Sequence, residues 1–146
     1  MHRLVIDSDR CTGCNSCVLS CAFVHSSRFG YDQSRVVIAR DPARSASSVR
    51  VCVQCDDAPC ISSCPVHALF REEGSMRIGL DRDRCVGCGK CVDACPFGGV
   101  SFDKEASVPL ICDLCDGAPA CVDACTLPQA IRFERVPRGG HEERAE

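Results

Sequence analysis

Sixteen cysteines fall along the 146 residues as four quartets, and no other feature restricts the fold so tightly. The first quartet is Cys11, Cys14, Cys17 and Cys21, spaced C-x2-C-x2-C-x3-C. The third, Cys85, Cys88, Cys91 and Cys95, repeats that spacing and adds Pro96. The second (Cys52, Cys55, Cys60, Cys64) and the fourth (Cys112, Cys115, Cys121, Cys125) keep the C-x2-C opening and the C-x3-C closing but widen the middle gap to four and five residues. The quartets are internal repeats on one plan. Large aromatic side chains, which usually dominate burial, are scarce: no Trp, one Tyr and six Phe. Cross-links at the cysteines must therefore do much of the organising.

Disulfides, zinc and iron-sulfur clusters compete for such cysteines. Disulfides need an oxidising compartment. The N-terminus carries Asp7 and Asp9 where an export signal would need an apolar run, so the expectation is a cytoplasmic chain with reduced thiols. Zinc takes isolated C-x2-C pairs or pairs completed by His, whereas here a third and a fourth cysteine follow every pair. The spacing points instead to [4Fe-4S] clusters, for which the third quartet is the complete bacterial run with its proline. Three cysteines in a tight loop wrap one face of a cubane, and Gly13, Gly87 and Gly89 let the backbone come close to its sulfides. The last cysteine lies on a short helix beginning near the third one, which carries its thiol towards a second cluster. Each quartet thus serves two clusters. Pro65 and Pro96 end the helices of the two central quartets. No quartet has lost a cysteine, so four cubanes are expected.

Between the quartets lie short apolar segments. Val36-Val37-Ile38 and Val49, Val51, Val53 alternate, and two stretches read as hairpins: Ala68–Phe70 with Met76–Leu80, and Val100–Phe102 with Val108–Ile111. Ala130–Phe133 is a final strand, expected to pair with Leu4-Val5-Ile6. Residues 137–146 have no apolar period and read as a mobile tail. No stretch approaches the eighteen apolar residues of a membrane span, so direct membrane insertion is not expected. The formal charge of −3 becomes roughly −11 once four clusters are bound, since each set of four thiolates outweighs its core by about two charges. Such an anion is a poor nucleic-acid binder.

Lys90, inside the third loop, either raises a cluster potential or is simply exposed. His25 and His67 follow fourth cysteines, but with four thiols per cluster they read as packing or capping residues. Asp56, Asp57, Asp113 and Asp116 interrupt the second and fourth loops, where they are expected to hold turn amides. No nucleophile with its base, phosphate loop or dinucleotide fingerprint is present, so the chain is not read as an enzyme.

The four quartets resemble the four-cluster ferredoxin-like subunits that accompany molybdenum and tungsten pterin oxidoreductases, over residues 3 to about 135. Within that family Cys21-Ala22-Phe23-Val24-His25, Phe29 and Ser34-Arg35-Val36-Val37-Ile38 resemble most the small subunits that accompany tungsten aldehyde oxidoreductase or carbon monoxide dehydrogenase. The resemblance implies an α+β fold of two nested ferredoxin-like modules, with short β-hairpins and short helices around the clusters. The outer module comprises residues 1–35 and 104–136, and the inner one residues 36–103. It further implies cluster 1 on Cys11, Cys14, Cys17 and Cys125, and cluster 2 on Cys21, Cys112, Cys115 and Cys121. Cluster 3 falls on Cys52, Cys55, Cys60 and Cys95, and cluster 4 on Cys64, Cys85, Cys88 and Cys91. Two departures stand out: Cys21-Ala22 and Cys125-Thr126 replace the usual Cys-Pro, with Pro128 displaced by two residues. The implied function is an electron-transfer wire between a catalytic pterin subunit, aldehyde oxidoreductase by preference, and a flavin subunit or ferredoxin. Head-to-tail self-association into a filament is a further expectation, since a wire without an anchor can continue from copy to copy. The alternatives are service to carbon monoxide dehydrogenase, hydrogenase or formate dehydrogenase, or a cluster-based redox sensor.

Overall fold

The computed structural model describes residues 2–126 and 130–136. Pro128 and the expected tail at 137–146 lie outside the described residues. The strands form four separate antiparallel ribbons rather than one sheet. β1 (His2–Ile6) pairs with β8 (Ile131–Arg135), with Leu4 opposite Phe133. β2 (Val37–Asp41) pairs with β3 (Ala46–Arg50), β4 (Leu69–Arg71) with β5 (Ile78–Leu80), and β6 (Ser101–Asp103) with β7 (Val108–Leu110). The terminal ribbon and two of the hairpins fall where apolar alternation predicts them, within a residue or two. The β2–β3 hairpin joins segments that the sequence reading treats separately. Polar residues, Arg40 and Asp41 on one strand and Ser47 and Ser48 on the other, break its apolar alternation.

Each quartet contributes a helix that starts within a residue or two of its third cysteine: α1 (Ser16–Ser26), α2 (Pro59–Ser62), α3 (Lys90–Asp93) and α4 (Ala120–Asp123). α2 and α3 stop ahead of Cys64-Pro65 and Cys95-Pro96, because a helix continued to the proline, three residues past its present end, would clash with the preceding turn. In the first quartet Ala22 stands in place of proline, and α1 runs on past Cys21 to Ser26, ending where Ser27 turns left-handed. α4 is short although Thr126 follows its last cysteine, so missing proline permits extension without requiring it. α1 packs against α4, and α2 against α3.

The core is aliphatic and sulfurous. Leu4, Val18, Val36, Val49, Val51, Leu69, Ile78, Val100 and Ile131 surround buried cysteines from all four quartets, and no aromatic side chain is among the fully buried residues described. Two-stranded ribbons are marginal by themselves in water. Their stability here depends on closing over the sulfur-lined centre.

Candidate metal centres

All four C-x2-C loops turn left-handed at the same position. The residue before the second cysteine is left-handed in each: Gly13 (φ +71°), Gln54 (+55°), Gly87 (+68°) and Leu114 (+58°). A β-carbon at Gly87 would lie 2.5 Å from the Ser107 carbonyl oxygen, so glycine is needed there for space, whereas one at Gly13 would lie 2.6 Å from Ser47 Oγ, a side-chain tip that can turn aside. Gln54 and Leu114 adopt the same turn without that freedom. The wider gap of the fourth quartet is taken up by two further left-handed residues, Cys115 and Asp116.

These turns aim backbone N–H groups at sulfur. Gly13 N donates to Cys11 Sγ and Leu114 N to Cys112 Sγ, both at 3.4 Å. At the fourth cysteines, Ala68 N donates to Cys64 Sγ and Gly99 N to Cys95 Sγ, both at 3.3 Å, four residues on after each Cys-Pro turn. Cys21, whose helix continues, receives its N–H from Arg35 at 3.4 Å instead. Donors of this kind stabilise thiolate sulfur.

The sulfurs gather in sets drawn from two quartets. One cavity is lined by Cys11, Cys14, Cys17 and Cys125, a second by Cys64, Cys85, Cys88 and Cys91. Burial pushes the Cys17 thiol up to about 11, with Cys11, Cys14 and Cys125 adding to it. Cys121 is raised by burial and then by Cys112, Cys21 and Cys115. Cys60 is pushed up to about 11 by burial and then by Cys55 and Cys95. Cys112, pushed up to about 12, and Cys52, also raised, are both governed by burial. Thiols crowded so that each opposes its neighbours' ionisation suit a cationic core that replaces their protons. No disulfide is formed among the described cysteines. The residues present therefore fit iron-sulfur clusters.

The flanking polar residues divide. His25, on the last turn of α1, places Nδ1 2.8 Å from the Cys21 carbonyl oxygen and Nε2 3.1 Å from both Asp113 carboxylate oxygens. Asp113 pushes its imidazole up to about 12, Cys115 and Cys21 adding to the effect. Burial alone would raise Asp113, but the hydrogen bond from His25 holds it well below the usual carboxylate range. The packing role expected of His25 is thus a clasp between the first and fourth quartets. His67 and Lys90 are exposed. Asp113 accepts from Cys115 N at 2.9 Å as a turn residue should, whereas Asp56 and Asp116 face Arg3 (3.5 Å) and Arg77 (2.7 Å). Sequence reasoning passed over Gln54, which is fully buried between the second and fourth quartets. Aligning the repeats would have found it, because it occupies the position of Gly13 and Gly87.

The 4Fe-4S dicluster domain family matches residues 51–99 and again 77–128, and a 4Fe-4S binding domain matches residues 8–24. YsaA of Escherichia coli (strain K12), provisionally named an electron transport protein, is 37% identical over 78% of this chain and 76% of its own length. The electron transfer protein PhsB of thiosulfate reductase from Salmonella typhi is 36% identical over 66% of this chain but 53% of its own. A polyferredoxin-like subunit of aliphatic sulfonate oxidoreductase from Pyrococcus furiosus is 34% identical over 76% of this chain and 64% of its own. The chain spans about half the length of the tetrathionate, thiosulfate and arsenate reductase subunits it matches. Among solved structures, a chain of the BamBC active site complex of benzoyl coenzyme A reductase superposes with a TM-score of 0.57 at 25% identity, covering 100% of this chain and 83% of that one.

Proposed function

This chain belongs to the family of 4Fe-4S dicluster electron-transfer proteins, and from that premise we propose that it is the wire of a larger redox enzyme, carrying four [4Fe-4S] clusters in series. Its relatives are named electron-transport proteins and iron-sulfur subunits of reductases, and the chain is a non-catalytic electron-transfer subunit. Each cluster, when bound, supplies a site that takes up and releases one electron. The protein holds these sites, shields them and orders them.

The observation that carries the reading is the continuity of the sulfur sets. Cluster 1 is assigned to Cys11, Cys14, Cys17 and Cys125, and cluster 2 to Cys21, Cys112, Cys115 and Cys121. Cluster 3 is assigned to Cys52, Cys55, Cys60 and Cys95, and cluster 4 to Cys64, Cys85, Cys88 and Cys91. Sites one and two share α1 and α4, and Cys121 is raised in part by Cys17. Sites two and three adjoin where Gln54, in the loop of Cys52 and Cys55, donates to the Cys112 carbonyl oxygen, and sites three and four share α2 and α3. The series runs from an exposed Cys14 to an exposed Cys88. The packing of α1 on α4 and of α2 on α3 supports two nested modules, with residues 1–35 and 104–136 outside and 36–103 inside.

The preferred catalytic partner is a tungsten pterin aldehyde oxidoreductase, on the likeness of residues 21–25, 29 and 34–38 to its small subunits, with a flavin subunit or ferredoxin at the other end. Iron and sulfide analysis of the native complex, with redox-titrated EPR and assay for tungsten and molybdenum, tests this. About sixteen iron atoms per chain are expected. Zinc in their place would overturn the wire, and co-isolation with a nickel enzyme would overturn the choice of partner. Head-to-tail assembly would show as scattering mass that grows with concentration, and a single discrete complex at all concentrations would count against it.

A further inference from the structure

Gln54 lies in the C-x2-C loop of the second quartet with no exposed surface. Its backbone is left-handed at φ +55°, a conformation unfavourable for a side-chain-bearing residue. Both ends of its carboxamide are used. Nε2 donates to the Cys112 carbonyl oxygen at 2.5 Å, across 58 positions of sequence, and Oε1 accepts from Ile78 N at 2.8 Å. One side chain therefore ties the loop of Cys52 and Cys55 to Cys112 in the fourth quartet and to strand β5. Two other ties between the quartets do not share these properties. Arg77 reaches the Asp113 carbonyl oxygen from a partly exposed position, and the His25–Asp113 clasp lies within the outer pair.

We infer that Gln54 is the positioning residue at the middle of the wire, fixing the site of Cys52, Cys55, Cys60 and Cys95 against that of Cys21, Cys112, Cys115 and Cys121 and supplying a hydrogen-bonded connection between them. The inference rests on the cluster assignment proposed above. The step concerned moves one electron from one site to the other, with no bond broken and no proton transferred. Gln suits the place because a primary amide offers donor and acceptor at the end of one flexible stem without carrying charge. A charged side chain there would bias the two sites against each other. An apolar one would leave a buried N–H and a buried carbonyl unpaired.

The test uses the full chain with its clusters, as wild type, Gln54→Met and Gln54→Glu. Met keeps length and approximate volume and deletes both hydrogen bonds. Glu keeps the acceptor for Ile78 N and, once ionised, loses the donor to Cys112, so its readouts are taken at the high-pH limit of a pH series, where burial no longer keeps the carboxyl protonated. Iron and sulfide are counted first. The magnetic interaction between centres is then read by EPR during partial reduction, together with the rate at which an injected electron spreads among them. Near-native iron with weakened interaction and slower spreading in both variants is the expected result. Full iron with wild-type interaction and rate in both, or in Glu alone, overturns the inference. Should Gln54→Met fail to fold, Gln54→Glu decides by the same two readouts. A wild-type chain holding fewer than about sixteen iron atoms overturns the cluster assignment instead, a failure visible before any variant is compared.

Discussion

Gly87 and Gly89 flank Cys88 in the third loop and are both left-handed, at φ +68° and +74°. Only their surroundings differ. A β-carbon at Gly87 would sit 2.5 Å from the Ser107 carbonyl oxygen and 3.3 Å from its Cβ, whereas one at Gly89 meets nothing within 4 Å. Gly89→Ala therefore costs the left-handed penalty alone, roughly 1–2 kcal/mol. Gly87→Ala adds overpacking against backbone that cannot rotate away, a further ~1–3 kcal/mol. Because both act on the same loop, their difference isolates the Ser107 contact. Anaerobic bleaching of the visible cluster absorbance in moderate guanidinium, with a chelator present, measures it. Full expression of the difference at the opening step makes Gly87→Ala about 5- to 150-fold faster than Gly89→Ala. Equal rates, or a faster Gly89→Ala, would refute the argument that the loop's closeness to residue 107 demands glycine.

Three further outcomes follow from the packing. Chelating the iron should unfold the chain as seen by far-ultraviolet circular dichroism, because the ribbons close over sulfur rather than over aromatic side chains, and an apo-chain with native signal would contradict this. Ala22→Pro, at a fully buried position inside α1, should cost about 3 kcal/mol or more. An unchanged thermal midpoint would show that α1 does not need to run past Cys21. His25→Gln and Asp113→Asn should couple by roughly 0.5–3 kcal/mol in a double-mutant cycle on denaturant midpoints. Strict additivity would mean that their 3.1 Å contact holds nothing together.

Legibility followed the strength of local patterns. Quartet spacing located every loop and helix start, because a fixed ligand spacing leaves the backbone few choices. The β1–β8 ribbon was readable from alternation at both ends of the chain, although its partners lie more than a hundred residues apart. The β2–β3 hairpin was not, since Ser47 and Ser48 carry no apolar signal. Ala22 was visible as a departure from Cys-Pro, yet the length of α1 was not, because α4 stops early without a proline too. Gln54 and His25 were obscured for another reason. Each is defined by a partner far along the chain, Cys112 for one and Asp113 for the other, and no window on the sequence contains both.

The exposed positions of Cys14 and Cys88 have a consequence for how such a chain ages in air. Oxidants attack cysteine sulfur according to its exposure, and these two sulfurs stand at the surface while Cys52, Cys60, Cys112 and Cys121 are enclosed. On the cluster assignment proposed above, damage should thus begin at the two extremities and reach the middle last. An aerobically handled sample would keep its interior centres, and much of its colour, after losing the ability to exchange electrons with anything outside itself. Residual absorbance would then overstate working protein, and repair directed at only one end would restore nothing.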